Sequence, residues 1–195
     1  MKFELGVKSD PVEYRYSYEW LFALLQKNGI RFMQLGSFYE MYSLPDAYFI
    51  DLLSLARSYG VRIKSLFTSH RELGGFFTGN AHMETVARKS YERMIEVASL
   101  LGADYAGSNP GAVYRDRPED KEKGLARYTM HMNELAHIAK EAGLQGLTVE
   151  PMSCLFEPPS TPDEIATMMG GFDAYHRANE KSTVPIGRAS CRERV

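Results

Sequence analysis

The chain has 195 residues, 44% hydrophobic and 25% charged, with a formal net charge of −2. That describes a globular protein able to bury one ample core, and it gives no electrostatic reason to expect a nucleic-acid partner. No apolar run approaches the roughly 20 residues of a membrane span, the opening MKFELGVKSD has no signal-peptide core, and Cys154 and Cys191 alone make neither a disulfide framework nor a zinc knuckle, so a reducing cytoplasm is the expected compartment.

Four segments share one grammar: LLQKNGIRFMQLG, LARSYGVRIKSLF, ASLLGADYAGSN and AKEAGLQGLTVE. In each, a helical pattern closes on a glycine (Gly29, Gly60, Gly102, Gly143) and an apolar or β-branched run follows. Glycine takes the left-handed conformation that ends a helix, so each marks a helix-to-strand corner, at the spacing of a βα unit. Taken along the chain, the first strand is expected near 3–7, with Ser9 and Asp10 at its end. Tyr14, Tyr16 and Tyr18 then suggest a loop packed over a rim. The helix SYEWLFALLQKNG places Trp20, Leu21, Leu24 and Leu25 on one face. The second strand falls near 32–36, followed by Glu40, and the third near 63–68.

After the third strand comes SLFTSHRELGGFF, in which His70 and Arg71 stand at a strand end and Gly74 and Gly75 suggest a long, mobile loop. The helix METVARKSYERMIEVASLLG directs Val86, Met94, Val97 and Leu101 to one side. The fourth strand is expected near 104–108, and the turn at Asn109, Pro110 and Gly111 offers backbone N–H groups beside Arg115 and Arg117, where an anionic group could be held. The plainer reading of those arginines is a solvated charge run. His131 and His137 lie within a helical run and read as structural or exposed. The fifth strand, near 147–150, ends on Glu150, and Glu157 follows in a segment whose Pro158–Pro159 pair precedes a helix capped by Ser160 or Thr161.

Alternating strands and helices mean a mostly parallel sheet. The G-x-G-x-x-G of an open dinucleotide fold is missing after the first strand, whereas polar residues stand at successive strand ends, as on the active face of a TIM barrel. The expected fold is therefore α/β: the N-terminal part, about five βα units, of a (β/α)8 barrel, incomplete at that count. Glu150 is the leading candidate for chemistry. A carboxylate at a strand C-terminus of such a barrel points into the mouth, where it can bind a divalent metal, abstract a proton, or salt-bridge a neighbouring loop.

The end of the chain, PIGRASCRERV, shifts abruptly to arginines without apolar periodicity. A DNA string used as a short-read sequencing adapter, ATCGGAAGAGCGTCGTGTAGGGAAAGAGTG, translates in frame as IGRASCRERV. Adapter sequence ending in AG cannot encode Pro185, so the join is expected at Ile186 or Gly187. Residues 186–195 are accordingly expected to be non-native, 1–185 to be a partial barrel, and STVPI to open a sixth strand.

The ordered set GVKSDPVEYRYSYEWL, TSHRELGGFF, GSNPGAV and TVEPMSCLFEPP resembles the xylose isomerase-like TIM barrels, and most of all the bacterial erythrulose-phosphate 3-epimerases. The resemblance runs from Met1 to about Pro185. It implies that Glu150 is both a metal ligand and one of two acid/base carboxylates, with Mn2+, Mg2+ or Co2+ as the ion. It also implies a sugar or sugar phosphate substrate, for which His70, Asn109, Arg115 and Glu157 are the binding candidates by their places after the strands. Homo-oligomerisation is compatible with it. The remaining ligands, an Asp, a His and a Glu from later strands, would lie beyond this chain. Three alternatives share the fold: polyol dehydratases, endonuclease IV and non-catalytic sugar-binding barrels. Endonuclease IV carries a histidine on its fourth strand where this chain has Asn109.

Overall fold

The four corner glycines set the architecture. In the computed structural model, which describes residues 5–36, 39–69 and 75–188, Gly29, Gly60, Gly102 and Gly143 all have φ between 63° and 83°. The glycine N–H and the N–H of the next residue bond back into the last helical turn. Ile30, Val61, Ala103 and Leu144 reach the carbonyls of Leu25, Ala56, Ala98 and Ala139 at 2.9–3.0 Å. This is the Schellman arrangement, with the residue after the glycine starting the path back into the core.

The elements follow the βα grammar: β1 (Gly6–Lys8), α1 (Tyr18–Lys27), β2 (Phe32–Gly36), α2 (Tyr39–Ser43), α3 (Asp46–Ser58), β3 (Arg62–Ser69), α4 (Ala81–Leu100), β4 (Tyr105–Asn109), a 3-10 turn (Pro118–Asp120), α5 (Lys121–Glu141), β5 (Gly146–Val149), α6 (Pro162–Ala178) and β6 (Ile186–Arg188). The strands form one sheet in the order β1-β2-β3-β4-β5-β6, every neighbouring pair parallel. Right-handed βα crossovers give this order when each helix packs back on the same face. Strands two to five agree with expectation to within one residue at either end, and the first, expected near 3–7, runs to Lys8, while its expected start at Phe3 lies outside the described residues. β6 spans the expected join, and its Ile186 closes onto the core while Gly187 and Arg188 stay exposed.

One face of the sheet carries Met33, Leu35, Ile63, Leu66, Ala106, Leu147 and Val149 into a continuous core with the helices. Tyr91, Met94, Phe172 and Leu135 meet them there, each fully or almost fully buried. Full burial of one such side chain is worth about 1.5–3 kcal/mol. Two helical faces differ from expectation. On α1 the buried arc is Leu21, Phe22 and Leu25, so Trp20 and Leu24 turn outward, and Trp20 stacks on Tyr16 at 4.2 Å. On α4, Val86 is exposed because Ala87, Ser90, Tyr91 and Met94 define the buried stripe. Among the described residues no helix is long and apolar enough to cross a membrane.

Of the two expected caps before α6, Ser160 and Thr161, the N-cap is Thr161. Its hydroxyl accepts the Glu164 N–H at 3.3 Å while the Glu164 carboxylate accepts the Thr161 N–H at 3.2 Å, with Lys121 paired to the same carboxylate. Thr161→Ala is expected to lower stability by about 1 kcal/mol, read as a lower urea midpoint at unchanged slope.

Candidate functional site at the strand ends

The second face of the sheet is different in kind. Strand side chains alternate between faces, so the residues beside the core set, Lys8, Gln34, Ser65, Phe67 and Thr148, share this inner face. Gln34 Nε2 donates to Ser65 Oγ at 3.0 Å across the β2–β3 pair. Phe67 is buried yet stands outside the main apolar cluster, and the Lys8 ammonium lies 5.1 Å from its ring centroid. Gly36 and Gly107 also belong to this face. A methyl on Gly36 would run into the Asp10 carboxylate, and one on Gly107 into Thr148, so both positions must be glycine for those side chains to lie over the strands.

At the C-terminal end of this face stands Glu150, one residue past β5 and half-buried. Its N–H donates to the Ser108 carbonyl at 3.2 Å, continuing the ladder, and its Oε2 accepts from Asn109 Nδ2 at 3.0 Å. Asn109 is the end of β4, so two neighbouring strand ends place an amide against a carboxylate. Asn109 is held in turn: its Nδ2 also meets Met152 Sδ at 2.8 Å, and its carbonyl accepts from Ser108 Oγ at 2.8 Å and from the Tyr91 hydroxyl at 3.4 Å. Tyr91 is wholly buried, which pushes its hydroxyl up to about 12 and keeps it a donor throughout the neutral range. A chain of contacts thus runs from α4 through β4 to Glu150.

The other expected residues distribute differently. Arg115 is exposed and lies 5.8 Å over the Phe156 ring. Glu157 is half-buried in the loop after β5, its N–H on the Cys154 carbonyl at 2.9 Å. A bond from the Val113 N–H to the Phe156 carbonyl at 2.9 Å ties these two loops together, so Arg115 and Glu157 belong to one rim segment. His70 lies outside the described residues. The tyrosines of the β1–α1 loop do gather at the rim. Tyr18 donates to Glu13 at 3.3 Å, and a small cavity of about 140 Å³ is lined by Tyr14, Tyr18, Tyr48, Glu13 and Glu40. Burial raises the Glu13 pKa, with the neighbouring Asp10 and Glu40 charges adding to the shift and the Ser9 hydroxyl opposing it. His131 and His137 are structural: His131 stacks on Phe76 at 4.3 Å and meets Glu84 at 2.7 Å, and His137 meets the Tyr175 hydroxyl at 3.2 Å.

Sequence reasoning passed over Lys8, Tyr91 and Met152. Strict alternation along GVKSD would have put Lys8 on the face opposite Val7, which is the available signal. Among the described residues no group of three or more His, Cys, Asp and Glu side chains could hold a metal ion. Glu150 with an amide neighbour is one ligand, and the described residues by themselves do not fit a divalent-cation site.

The fold is an α/β barrel segment with polar side chains gathered at its C-terminal strand ends. Residues 22–178 match the family model of the xylose isomerase-like TIM barrel, and the chain belongs to that family. Among solved structures it is similar to a candidate xylose isomerase of Rhodospirillum rubrum, at TM-score 0.82 and 22% identity, covering 96% of this chain and 65% of that one. A D-psicose 3-epimerase solved with D-fructose aligns at TM-score 0.73 and 13% identity, covering 95% and 63%. An L-ribulose 3-epimerase aligns at 0.67 and 14%, covering 96% and 60%. At these identities the likeness is one of fold, and the chain spans 60–65% of the length of the three. No curated protein matches the sequence.

Proposed function

We propose that the whole protein is a sugar isomerase or epimerase, and specifically a 3-epimerase of a small ketose phosphate such as erythrulose phosphate, with Glu150 moving the proton. The observation that carries this reading is the Glu150 carboxylate, set on the inner face at the end of β5 and oriented by Asn109 at 3.0 Å. A carboxylate held by a neutral donor keeps its geometry, which is what abstraction of a proton beside a carbonyl asks of a base.

The chemistry proposed for Glu150 is removal of the C3 proton: the C–H bond breaks, its electrons form the enediolate, and the carboxyl returns a proton or hands over to an acid on the other face. Asn109 holds the carboxylate so that one oxygen stays on the amide while the other turns to substrate. The family resemblance implies a Mn2+, Mg2+ or Co2+ ion that would polarise the carbonyl. The described residues contribute only Glu150 to such a shell, and no step above depends on the ion.

Incubation of the whole protein with erythrulose phosphate in D2O, followed by NMR, tests the reading. Deuterium at C3 together with the C3 epimer is the expected result. Recovery of the starting sugar without deuterium at C3, across the tetrulose and pentulose phosphates, would overturn it.

A further inference from the structure

Lys8 is a lysine on the inner face of a barrel sheet. Its ammonium is paired with Asp10 Oδ2 at 2.6 Å and set on the Phe67 ring, with about a third of the side chain exposed. A lysine with only a solubilising role gains nothing from this position, since removing an ammonium from water is unfavourable unless fixed partners replace the lost hydration.

The strand register says what Lys8 faces. In a (β/α)8 barrel each strand is offset from its neighbour by about one residue along the axis, so that side chains from alternate strands meet in one layer. Lys8 pairs with Gln34, and Gln34 with Ser65. Two strands on, an offset of two leads from Ser65 to Phe67, and Phe67 is the ring that the Lys8 ammonium touches. Phe67 pairs with Gly107, and Gly107 with Thr148. The same offset leads from Thr148 to Glu150. The layer is therefore Lys8, Phe67 and Glu150, contributed by β1, β3 and β5. In an eight-stranded barrel the first and fifth strands stand opposite each other. Gly36 belongs to the intervening strand β2 and sends no side chain across the layer.

We propose that Lys8 is a second catalytic residue of this site, binding the oxygen next to the carbon from which Glu150 takes its proton. The inference rests on the reading of Glu150 as the base. As the C–H bond breaks, its electron pair forms the carbon–carbon double bond of the enediolate and the carbonyl π pair moves onto oxygen. The proton goes to Glu150, and the new oxyanion accepts a hydrogen bond from the Lys8 ammonium. Return of a proton to carbon reverses the shift, and nothing is oxidised or reduced. The ion pair with Asp10 fixes where the charge points. A fixed cation aimed at a developing oxyanion stabilises the transition state more than the ground state, which separates it from a residue that only binds sugar.

The test compares Lys8→Met, Lys8→Arg and Glu150→Gln in the whole protein, each checked for folding by circular dichroism. Two ligands are titrated by calorimetry: glycolohydroxamate, a planar mimic of the enediolate, and erythritol phosphate, which has no carbonyl. Lys8→Met is expected to slow C3 exchange by about 10²–10³-fold and to weaken hydroxamate binding, leaving erythritol phosphate binding unchanged. Lys8→Arg, which keeps the charge, is expected to recover part of both losses and serves alone if Lys8→Met does not fold. Equal weakening of both ligands, or no change in either, would overturn the role of Lys8. If Glu150→Gln keeps full exchange, the base assignment fails instead, and the hydroxamate comparison still reports on Lys8.

Discussion

Replacing Glu150 by Gln is expected to slow proton exchange at C3 by about 10²–10⁴-fold in the whole protein, with little change in melting temperature. The two side chains have the same shape, and a glutamine carbonyl can still accept the Asn109 Nδ2 that now reaches Glu150 Oε2 at 3.0 Å. What is lost is the capacity to take a proton. Asn109→Ala separates orientation from basicity, because the carboxylate survives but its donor does not. It is expected to give a smaller loss, falling on kcat more than on KM. Solvent-exchange rates measured on the three proteins over a range of substrate concentrations would show both effects. An unchanged rate in Glu150→Gln would remove Glu150 from the chemistry.

The sheet was legible because its punctuation is physical. Gly29, Gly60, Gly102 and Gly143 adopt the left-handed conformation for which glycine is chosen, and the strand starts follow from them. Glu150 was legible for a related reason, since a charge that ends an apolar run can only stand at the strand's end. The pairing of Glu150 with Asn109 was not, because the contact depends on the β4–β5 register, and no local pattern states a register. The helical faces were read one residue off in α1 because a run such as WLFALL fills more than one stripe. Which residue is buried is then settled by the strand beneath it, and Phe22 took the place expected for Trp20. The paired glycines after β3 suggested mobility for the whole segment that follows. The described part of it, from Gly75 onward, is instead anchored by Phe76 and Phe77, both buried in the helix layer.

That anchor is where the largest loss of stability is expected. Phe76→Ala should cost about 3–5 kcal/mol in urea unfolding, close to the most a single truncation removes. The ring has no exposed surface, and three aromatic neighbours surround it: His131 at 4.3 Å and nearly parallel, Tyr91 at 5.7 Å and Tyr128 at 6.1 Å. Pairs of this kind add about 0.5–1.5 kcal/mol beyond the area they bury. The site beneath cannot close easily. Phe77 presses against Gly124 of α5, where even a methyl would collide with its ring, so α5 is already as near as it can come. Phe76→Leu should cost less, because it keeps most of the volume and loses mainly the ring contacts. The consequence extends past stability. Tyr91 packs on Phe76, and its hydroxyl bonds Ser108 and the Asn109 carbonyl, which position the amide on Glu150. Phe76→Ala should therefore also lower C3 exchange at temperatures where the protein remains folded, whereas Phe76→Leu should lower it little. Equal exchange rates in the two folded variants would show that the ring holds the helix layer together without setting the strand end.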